Sequence, residues 1–242
     1  MSEYWMGIIA FLLPLASVFF IQPSVAKVAL AKNFTAEPEK RFPGLPLLSL
    51  GGVSMFIGIS LAVSLACSKP EFTALRNVLA AMIVMLFSGF LIDSKMSFSY
   101  FRFLAKILAA ALIIIPFYHK QDKLFPEFSP IMNSTLEMAF LIGFIFLYHH
   151  ITVIHRTIFL SLAMLNSAFF GYLFWGELGL HQWSILGIAL SGCLLGIIGY
   201  SRYAFYLQKP LPLIGHTGIY ITGLILSTLW LNFLCNLNLF IL

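Results

Sequence analysis

The sequence predicts an all-α polytopic membrane protein, and two observations carry that prediction. Hydrophobic residues make up 60% of the 242 residues and charged residues only 10%, whereas soluble domains have about 45–50% and about 25%. Several uncharged stretches exceed the roughly 20 residues that cross a bilayer as a helix. These stretches are residues 4–26, 42–68, 157–176, 178–201 and 210–242. The composition therefore excludes both a soluble fold and a disordered chain.

Eight transmembrane helices are expected, over residues 5–26, 47–67, 70–92, 101–118, 131–148, 157–175, 182–200 and 213–240. The third has the clearest start, because Ser68 can cap it, Pro70 suits its first turn and Glu71 can reach back to the cap. The first stretch lacks a basic leader and is interpreted as a spanning helix rather than a signal peptide. No soluble domain is inserted, so residues 1–242 are expected to form one transmembrane domain.

The distribution of Lys and Arg predicts the orientation. Under the positive-inside rule both termini lie on the outer side, and the loops after helices one, three, five and seven face the cytoplasm. Of the 14 basic residues, ten fall on that cytoplasmic side: Lys27, Lys32, Lys40, Arg41, Lys95, Arg102, Lys106, Arg156, Arg202 and Lys209. We therefore expect anionic ligands to be received on the cytoplasmic side.

Two further patterns point to packing rather than to chemistry. Cys67, Cys193 and Cys235 lie far apart in apolar segments without C-x-x-C spacing, and are expected to be small packing residues. Gly192 and Gly196 are four residues apart in helix seven, a spacing that lets another helix backbone approach closely in lipid.

Three short motifs follow one another along the chain. The first belongs to the loop before helix two, the second ends helix three, and the third begins helix eight. They are Pro38, Arg41, Pro46 and Gly51-Gly52; Gly89-Phe-Leu-Ile-Asp93 with Ser94-Lys95; and Gly215-His216-Thr217-Gly218. In this order, about residues 5–240 resemble the polyprenyl-phosphate N-acetylhexosamine-1-phosphate transferases. These are the glycosyltransferase family 4 enzymes, which include phospho-N-acetylmuramoyl-pentapeptide transferase.

The resemblance implies a role in cell-envelope polysaccharide synthesis at the bacterial inner membrane. Family members transfer a sugar-1-phosphate from a UDP-sugar to a polyprenyl phosphate on the cytoplasmic face, typically with Mg²⁺. The resemblance implies Asp93 as a catalytic carboxylate and Gly51, Gly52, Gly215, His216 and Gly218 as motif positions.

The departures from the family pattern fall where carboxylates belong. The family's Asp-Asp pair is Ile92-Asp93 here, and the acid of the last motif is replaced by His216. The loop after helix five carries His149, His150, His155 and Arg156 but no acid. The family's later His-rich cytoplasmic loop has no counterpart. One carboxylate thus remains for a metal that usually takes one or two together with substrate phosphates.

The remaining charged and histidine residues each allow two interpretations. Six cations form a ring suited to lipid phosphates, although positive-inside anchoring explains them equally well: Lys27, Arg41, Lys95, Arg102, Lys106 and Arg156. Asp93 is either a metal ligand or an interfacial ion-pair partner of Arg102 and Lys106, which share a helix face. Apart from the Mg²⁺ that the resemblance implies, the sequence does not identify a metal. Imidazoles of His149, His155 and His216 suit a transition metal, although their spacing matches no zinc motif.

Three functions remain open from the sequence. The first is a catalytically degenerate homologue, a pseudoenzyme that serves as scaffold or partner subunit in envelope assembly. The second is an active Mg²⁺-dependent transferase with Asp93 in a reduced site. The third is a small transporter unrelated to the family. The expected partners are membrane lipid, polyprenyl phosphate and an envelope-assembly protein, not nucleic acid, because the net charge of +5 reflects orientation. Convergence of Asp93, Arg156 and His216 on one cleft would favour the family hypotheses.

Overall fold

The structure, a computed structural model, describes residues 3–32, 35–36, 47–48, 50–94, 99–115, 128–154, 156–207, 209, 211–212 and 214–241. Arg41, Lys95 and His155, which the sequence singles out, lie outside the described residues. Arg156 has a described backbone as the first residue of its helix, but its side chain is not described. The predictions that depend on these side chains therefore remain predictions.

Eight α-helices run through the described residues. Their bounds are α1 Glu3–Ala31, α2 Gly51–Ala66, α3 Lys69–Asp93, α4 Ser99–Ile114, α5 Pro130–Ile154, α6 Arg156–Gly176, α7 His181–Tyr206 and α8 Gly215–Ile241. Three strands of two residues each pair between the helices: β1 Thr35–Ala36, β2 Leu47–Leu48 and β3 Leu211–Pro212. The middle strand, β2, is antiparallel to β1 and parallel to β3.

Six of the described helices are long and apolar enough to cross a membrane: α1, α3, α5, α6, α7 and α8. The helices α2 and α4 have 16 residues each. At 1.5 Å per residue each therefore spans about 24 Å, less than the roughly 30 Å of a bilayer's hydrocarbon core. Large apolar side chains lie on the outside of the bundle, with Phe20 82% and Leu165 63% exposed. The apolar surface and the six long helices are those of a multi-pass helical membrane protein.

The start of α3 confirms the signal in the sequence. The backbone N–H of Ser68 donates a hydrogen bond to the carboxylate of Glu71 at 2.6 Å. Pro70 occupies the first turn, where its missing N–H costs no intrahelical hydrogen bond. The helix consequently begins within one residue of the predicted position.

Small residues bring α7 against α1, as the glycine spacing predicts. A Cβ on Gly196 would lie 3.1 Å from the carbonyl oxygen of Leu15, and one on Gly192 would overlap the carbonyl oxygen of Phe11. Cys193 lies beside them as a buried, free thiol. The two backbones are thus in direct contact, and 72% of the α7 span is buried inside the fold.

Several helix ends differ from the predicted ones. The helix α5 continues to Ile154 instead of ending at residue 148, so His149 and His150 lie on the helix and not in a loop. No Gly or Pro follows them that would stop the helix. The helix α2 begins at Gly51 instead of residue 47, because residues 47–48 form strand β2. The longer α5 thus carries His149 and His150, and it packs against α8.

Candidate functional site

The first turn of α8 packs against the end of α3 and the start of α2. A Cβ on Gly89 would lie 2.5 Å from the backbone N of Thr217, and one on Gly52 would lie 2.7 Å from the Cα of Gly218. Real Cβ atoms do not come this close to a backbone, so glycine is required at both positions. Parts of all three family-like motifs therefore meet at one junction, which we call the α8 junction: Gly52, Gly89, Asp93 and residues 215–218.

Asp93, the last residue of α3, lies at this junction with a side chain that is 2% exposed. Its Oδ1 accepts a hydrogen bond from the backbone N–H of His216 at 3.2 Å and lies 2.9 Å from that residue's Nδ1. Its Oδ2 accepts from the hydroxyl of Thr217 at 3.0 Å and from the backbone N–H of Thr217 at 3.4 Å. Because a carboxylate only accepts, we assign the proton of the His216 ring to Nδ1.

These hydrogen bonds make Asp93 an N-terminal cap that one helix supplies to another. The first N–H groups of a helix have no partner within it, and the N-terminus carries partial positive charge that favours an anion. Gly215 turns the chain into α8 with a left-handed φ of 61°, a conformation that glycine adopts without strain. Both oxygens of Asp93 are consequently engaged in joining α3 to α8.

Lys106 lies at the same end of the bundle, on α4, and is only 3% exposed. Its ammonium group lies 3.5 Å from the ring centroid of Phe146 and 5.0 Å from that of Tyr220. A cation over aromatic faces is stabilised by the ring quadrupoles, more strongly where water is excluded. In the described part of the chain, Asp93 therefore pairs with His216, whereas Lys106 contacts aromatic rings.

Two histidines pack beside Tyr220 at the same site. The ring of His149 lies 5.7 Å from that of His216 and 5.6 Å from that of Tyr220, centroid to centroid. Its Nδ1 is buried and has no hydrogen-bond partner among the described residues. His216 has a side chain that is 41% exposed, so it forms the open edge. Arg102, an exposed residue, lies one turn before Lys106 on α4.

We call Arg102, Lys106, His149 and His216 the basic cluster. Its members come from three helices, α4, α5 and α8, and His216 joins the cluster to Asp93. Hydrogen-bond donors and positive charge converge there, and the only carboxylate in contact, among the described residues, is the one that caps α8. Such an arrangement can bind an anion, above all a phosphate, through charge-assisted hydrogen bonds.

The residues of this site do not fit the Mg²⁺ that the family resemblance implies. Magnesium takes hard oxygen ligands, with one or two carboxylates, and the oxygens of Asp93 already accept hydrogen bonds from the start of α8. Within the described ranges, no group of three or more His, Cys, Asp or Glu residues is arranged to hold a metal ion.

The other predicted site residues are distributed as follows. Lys27 is exposed on α1, toward the end that joins β1. Gly51 is buried at the start of α2, and Gly215 and Gly218 are buried in the first turn of α8. The sequence predicts that Asp93, Arg156 and His216 converge on one cleft. Of these three, the structure describes Asp93 and His216 in contact. The side chain of Arg156 and the whole of Arg41, Lys95 and His155 fall outside what the structure describes.

Three contributors to the site are not singled out by the sequence analysis. Thr217 supplies two hydrogen bonds to Asp93, and its place beside His216 in a short polar motif is a usable signal. Tyr220 follows His216 by four residues, a spacing that puts both on one helix face. Phe146 carries no signal, because one more Phe among 25 in an apolar helix looks like packing.

Comparisons with known proteins identify no family. Neither protein-family models nor curated proteins give a match to this chain. The resemblance to the glycosyltransferase family 4 enzymes therefore rests on the three motifs and on their order along the chain.

Proposed function

We propose that this protein is a glycosyltransferase family 4-like membrane protein that has lost catalysis and retains a binding surface for lipid phosphate. In this proposal it acts in cell-envelope polysaccharide synthesis at the bacterial inner membrane, as a scaffold or partner subunit. The six long helices cross the membrane, and the shorter α2 and α4 also cross it where the bilayer thins around them. Both termini lie outside, and the α8 junction faces the cytoplasm. The polyprenyl-phosphate headgroup binds at the basic cluster.

The observation that carries this proposal is that Asp93 caps the start of α8. Both of its oxygens accept hydrogen bonds from the first residues of α8, and its side chain is almost fully buried. A carboxylate held in this way connects two helices of the fold. It does not offer the free oxygens that a phosphotransfer site needs to hold magnesium between two phosphates.

The basic cluster supports phosphate binding in the absence of catalysis. A charged side chain within the membrane region is costly and is functional by default, and Lys106 is buried on α4 beside two aromatic rings. The ring of His149, whose buried Nδ1 has no hydrogen-bond partner among the described residues, lies against His216 at the same site. A phosphate there would meet donors from three helices, and its lipid chain could lie along the apolar outer faces of the bundle.

Loss of the Lys106 charge should weaken binding of polyprenyl phosphate. We expect Lys106→Met, which keeps the length of the side chain and its packing on Phe146, to reduce affinity by about ten- to a hundredfold, because one charge-assisted hydrogen bond contributes roughly 1.5–3 kcal/mol. Binding is measured on the full chain in nanodiscs, by native mass spectrometry or by the melting temperature against polyprenyl phosphate concentration.

The matched control is Arg76→Gln, which removes one positive charge from an exposed position at the opposite end of α3. We expect it to leave the affinity within a factor of about two, because exposed charges far from the ligand are screened. Equal losses in both variants would mean that binding follows net charge alone. No saturable binding by the unmodified protein would overturn the proposed function.

The unmodified protein should release no UMP. Incubation with UDP-N-acetylhexosamines, polyprenyl phosphate and Mg²⁺ is expected to give UMP at the rate of a protein-free blank, because Asp93, the carboxylate that the structure describes at the α8 junction, already accepts hydrogen bonds from α8. Coupled detection of UMP over hours checks this result. Protein-dependent UMP release would instead establish the active transferase with a reduced site.

A further inference from the structure

A second polar site lies apart from the α8 junction, toward the other end of α8. A cavity of about 90 Å³ is lined there by residues of α4, α5, α7 and α8. Along α8, Asn232 of this cavity lies 16 residues beyond His216, or about 24 Å at 1.5 Å per residue. The two sites are therefore separate.

Three side-chain amides line this cavity: Gln182 at the start of α7, and Asn232 and Asn236 one turn apart on α8. A side-chain amide carries two N–H donors and one acceptor oxygen. The Nδ2 of Asn232 donates to the carbonyl oxygen of Thr228 at 2.8 Å, and the Nδ2 of Asn236 donates to that of Asn232 at 2.7 Å. Each asparagine thus keeps a second N–H and its side-chain oxygen for a further partner.

These amides offer donors and acceptors together. Because an amide without a partner is costly away from water, the remaining N–H groups and oxygens need either water or a polar ligand. A metal cation would leave the N–H donors without acceptors, and an anion would leave the oxygens without donors. A hydroxyl group both donates and accepts, so it uses both halves of an amide. A hydroxyl is also compatible with the carboxylate of Glu137, another lining residue, since it can donate to it.

We propose that this cavity binds a vicinal diol, that is, two hydroxyl groups on neighbouring carbon atoms. One hydroxyl accepts from the N–H of an amide while its neighbour donates to the oxygen of the same amide. Aliphatic side chains that also line the cavity, Ile113, Leu180 and Leu231, suit the carbon atoms of such a ligand.

The size of the cavity limits the ligand to a small polyol or to one edge of a larger one. Because one water needs roughly 10–15 Å³ of such space, a volume of about 90 Å³ holds roughly six to nine heavy atoms. This is the size of glycerol or of one edge of a sugar ring.

A vicinal diol of this size has two sources with the same chemistry. One is the glycerol headgroup of phosphatidylglycerol, reached from the bilayer. The other is a soluble polyol or sugar, reached from the aqueous phase. The site is independent of phosphate binding at the basic cluster, since it involves neither Lys106 nor the α8 junction.

The test is a glycerol titration of the full chain in phosphatidylcholine nanodiscs, followed by saturation-transfer difference NMR with empty nanodiscs as the blank. We expect a saturable signal in the millimolar range, because so small a ligand makes few contacts. The compound 1,3-propanediol has the same carbon chain without the central hydroxyl, so it presents no neighbouring hydroxyls and should give no saturable signal. An equal signal from both compounds, or none from glycerol, would overturn the proposal.

A matched pair of variants tests the amides themselves. Asn232→Leu keeps the size of the side chain but removes its amide, and we expect it to raise the dissociation constant of glycerol about tenfold. Asn77→Leu makes the same change on α3, at a residue that is not among those lining the cavity, and should change the constant by less than a factor of about two. Size-exclusion chromatography checks that both variants fold. Undiminished binding by Asn232→Leu, or equal losses in the two variants, would contradict the proposal.

The composition of the nanodisc distinguishes the two sources. Phosphatidylglycerol and phosphatidylserine give the bilayer the same charge, but only the first carries a vicinal diol in its headgroup. Loss of the glycerol signal in phosphatidylglycerol nanodiscs, with its retention in phosphatidylserine nanodiscs, identifies the lipid headgroup as the ligand. Any other pattern identifies a soluble polyol.

Discussion

Replacing Asp93 with alanine is expected to lower the free energy of unfolding by about 3 kcal/mol, because hydrogen bonds to a charged group contribute about 1.5–3 kcal/mol and a helix cap about 1 kcal/mol. The carboxylate accepts from two backbone N–H groups and from the side chains of His216 and Thr217. Alanine leaves these donors buried without their acceptor. Unfolding in mixed micelles of rising sodium dodecyl sulfate fraction measures the change.

Two variants make this result interpretable. Asp93→Asn keeps one acceptor oxygen but loses the charge that complements the helix N-terminus, so we expect about half the loss seen with alanine. Glu177→Gln removes an exposed acid and should change stability by less than about 0.5 kcal/mol. If Asp93→Ala matched Glu177→Gln, the cap would not stabilise the fold, and Asp93 would again be available as a metal ligand.

The positions of the helices follow from the sequence because the membrane demands long apolar segments with few charges. The start of α3 was predictable to one residue, since Ser68, Pro70 and Glu71 give a local signal that needs no other part of the chain. The end of α5 was not. Its last turns contain no breaker, and in that situation the edge of an apolar run marks the edge of the hydrocarbon rather than the end of the helix.

The hydrogen-bond partners of Asp93 cannot be predicted from its neighbours in sequence. The motif and its place at the end of an apolar helix indicate that Asp93 matters, and its pairing with Lys106 or a metal was a reasonable expectation. Its partners His216 and Thr217 are more than 120 residues away in sequence. They meet Asp93 only because α3 and α8 pack against each other, and a single sequence contains no sign of that contact.

Glu137 is a second residue whose surroundings cannot be predicted from its neighbours in sequence. In sequence it is one acid near the predicted outer end of helix five, where an exposed position is the ordinary expectation. The structure buries it against Asn133 and in a cavity lined by α7 and α8. Its burial depends on how far the last turns of α8 extend beside α5, which is a property of the packed bundle.

The second large effect is expected at the glycines of the α8 junction. Gly89→Ala should lower the free energy of unfolding by about 3 kcal/mol or more, since overpacking a buried contact typically costs about 1–3 kcal/mol even where side chains can move aside. Here the new Cβ would lie 2.5 Å from the backbone N of Thr217 and 2.8 Å from its Oγ1. A helix backbone cannot move aside locally, so α8 must shift as a whole.

Gly89 lies one turn before Asp93 on α3, so that shift also pulls the donors of His216 and Thr217 away from the carboxylate. Gly143→Ala is the matched control, because Gly143 is likewise within a helix, on α5, but a Cβ there would meet nothing within 4 Å. Alanine at that position should raise stability by up to about 1 kcal/mol through helix propensity alone. Opposite signs for the same chemical change are therefore expected in thermal or detergent unfolding, and a Gly89→Ala protein as stable as Gly143→Ala would mean that α3 and α8 are not held in backbone contact.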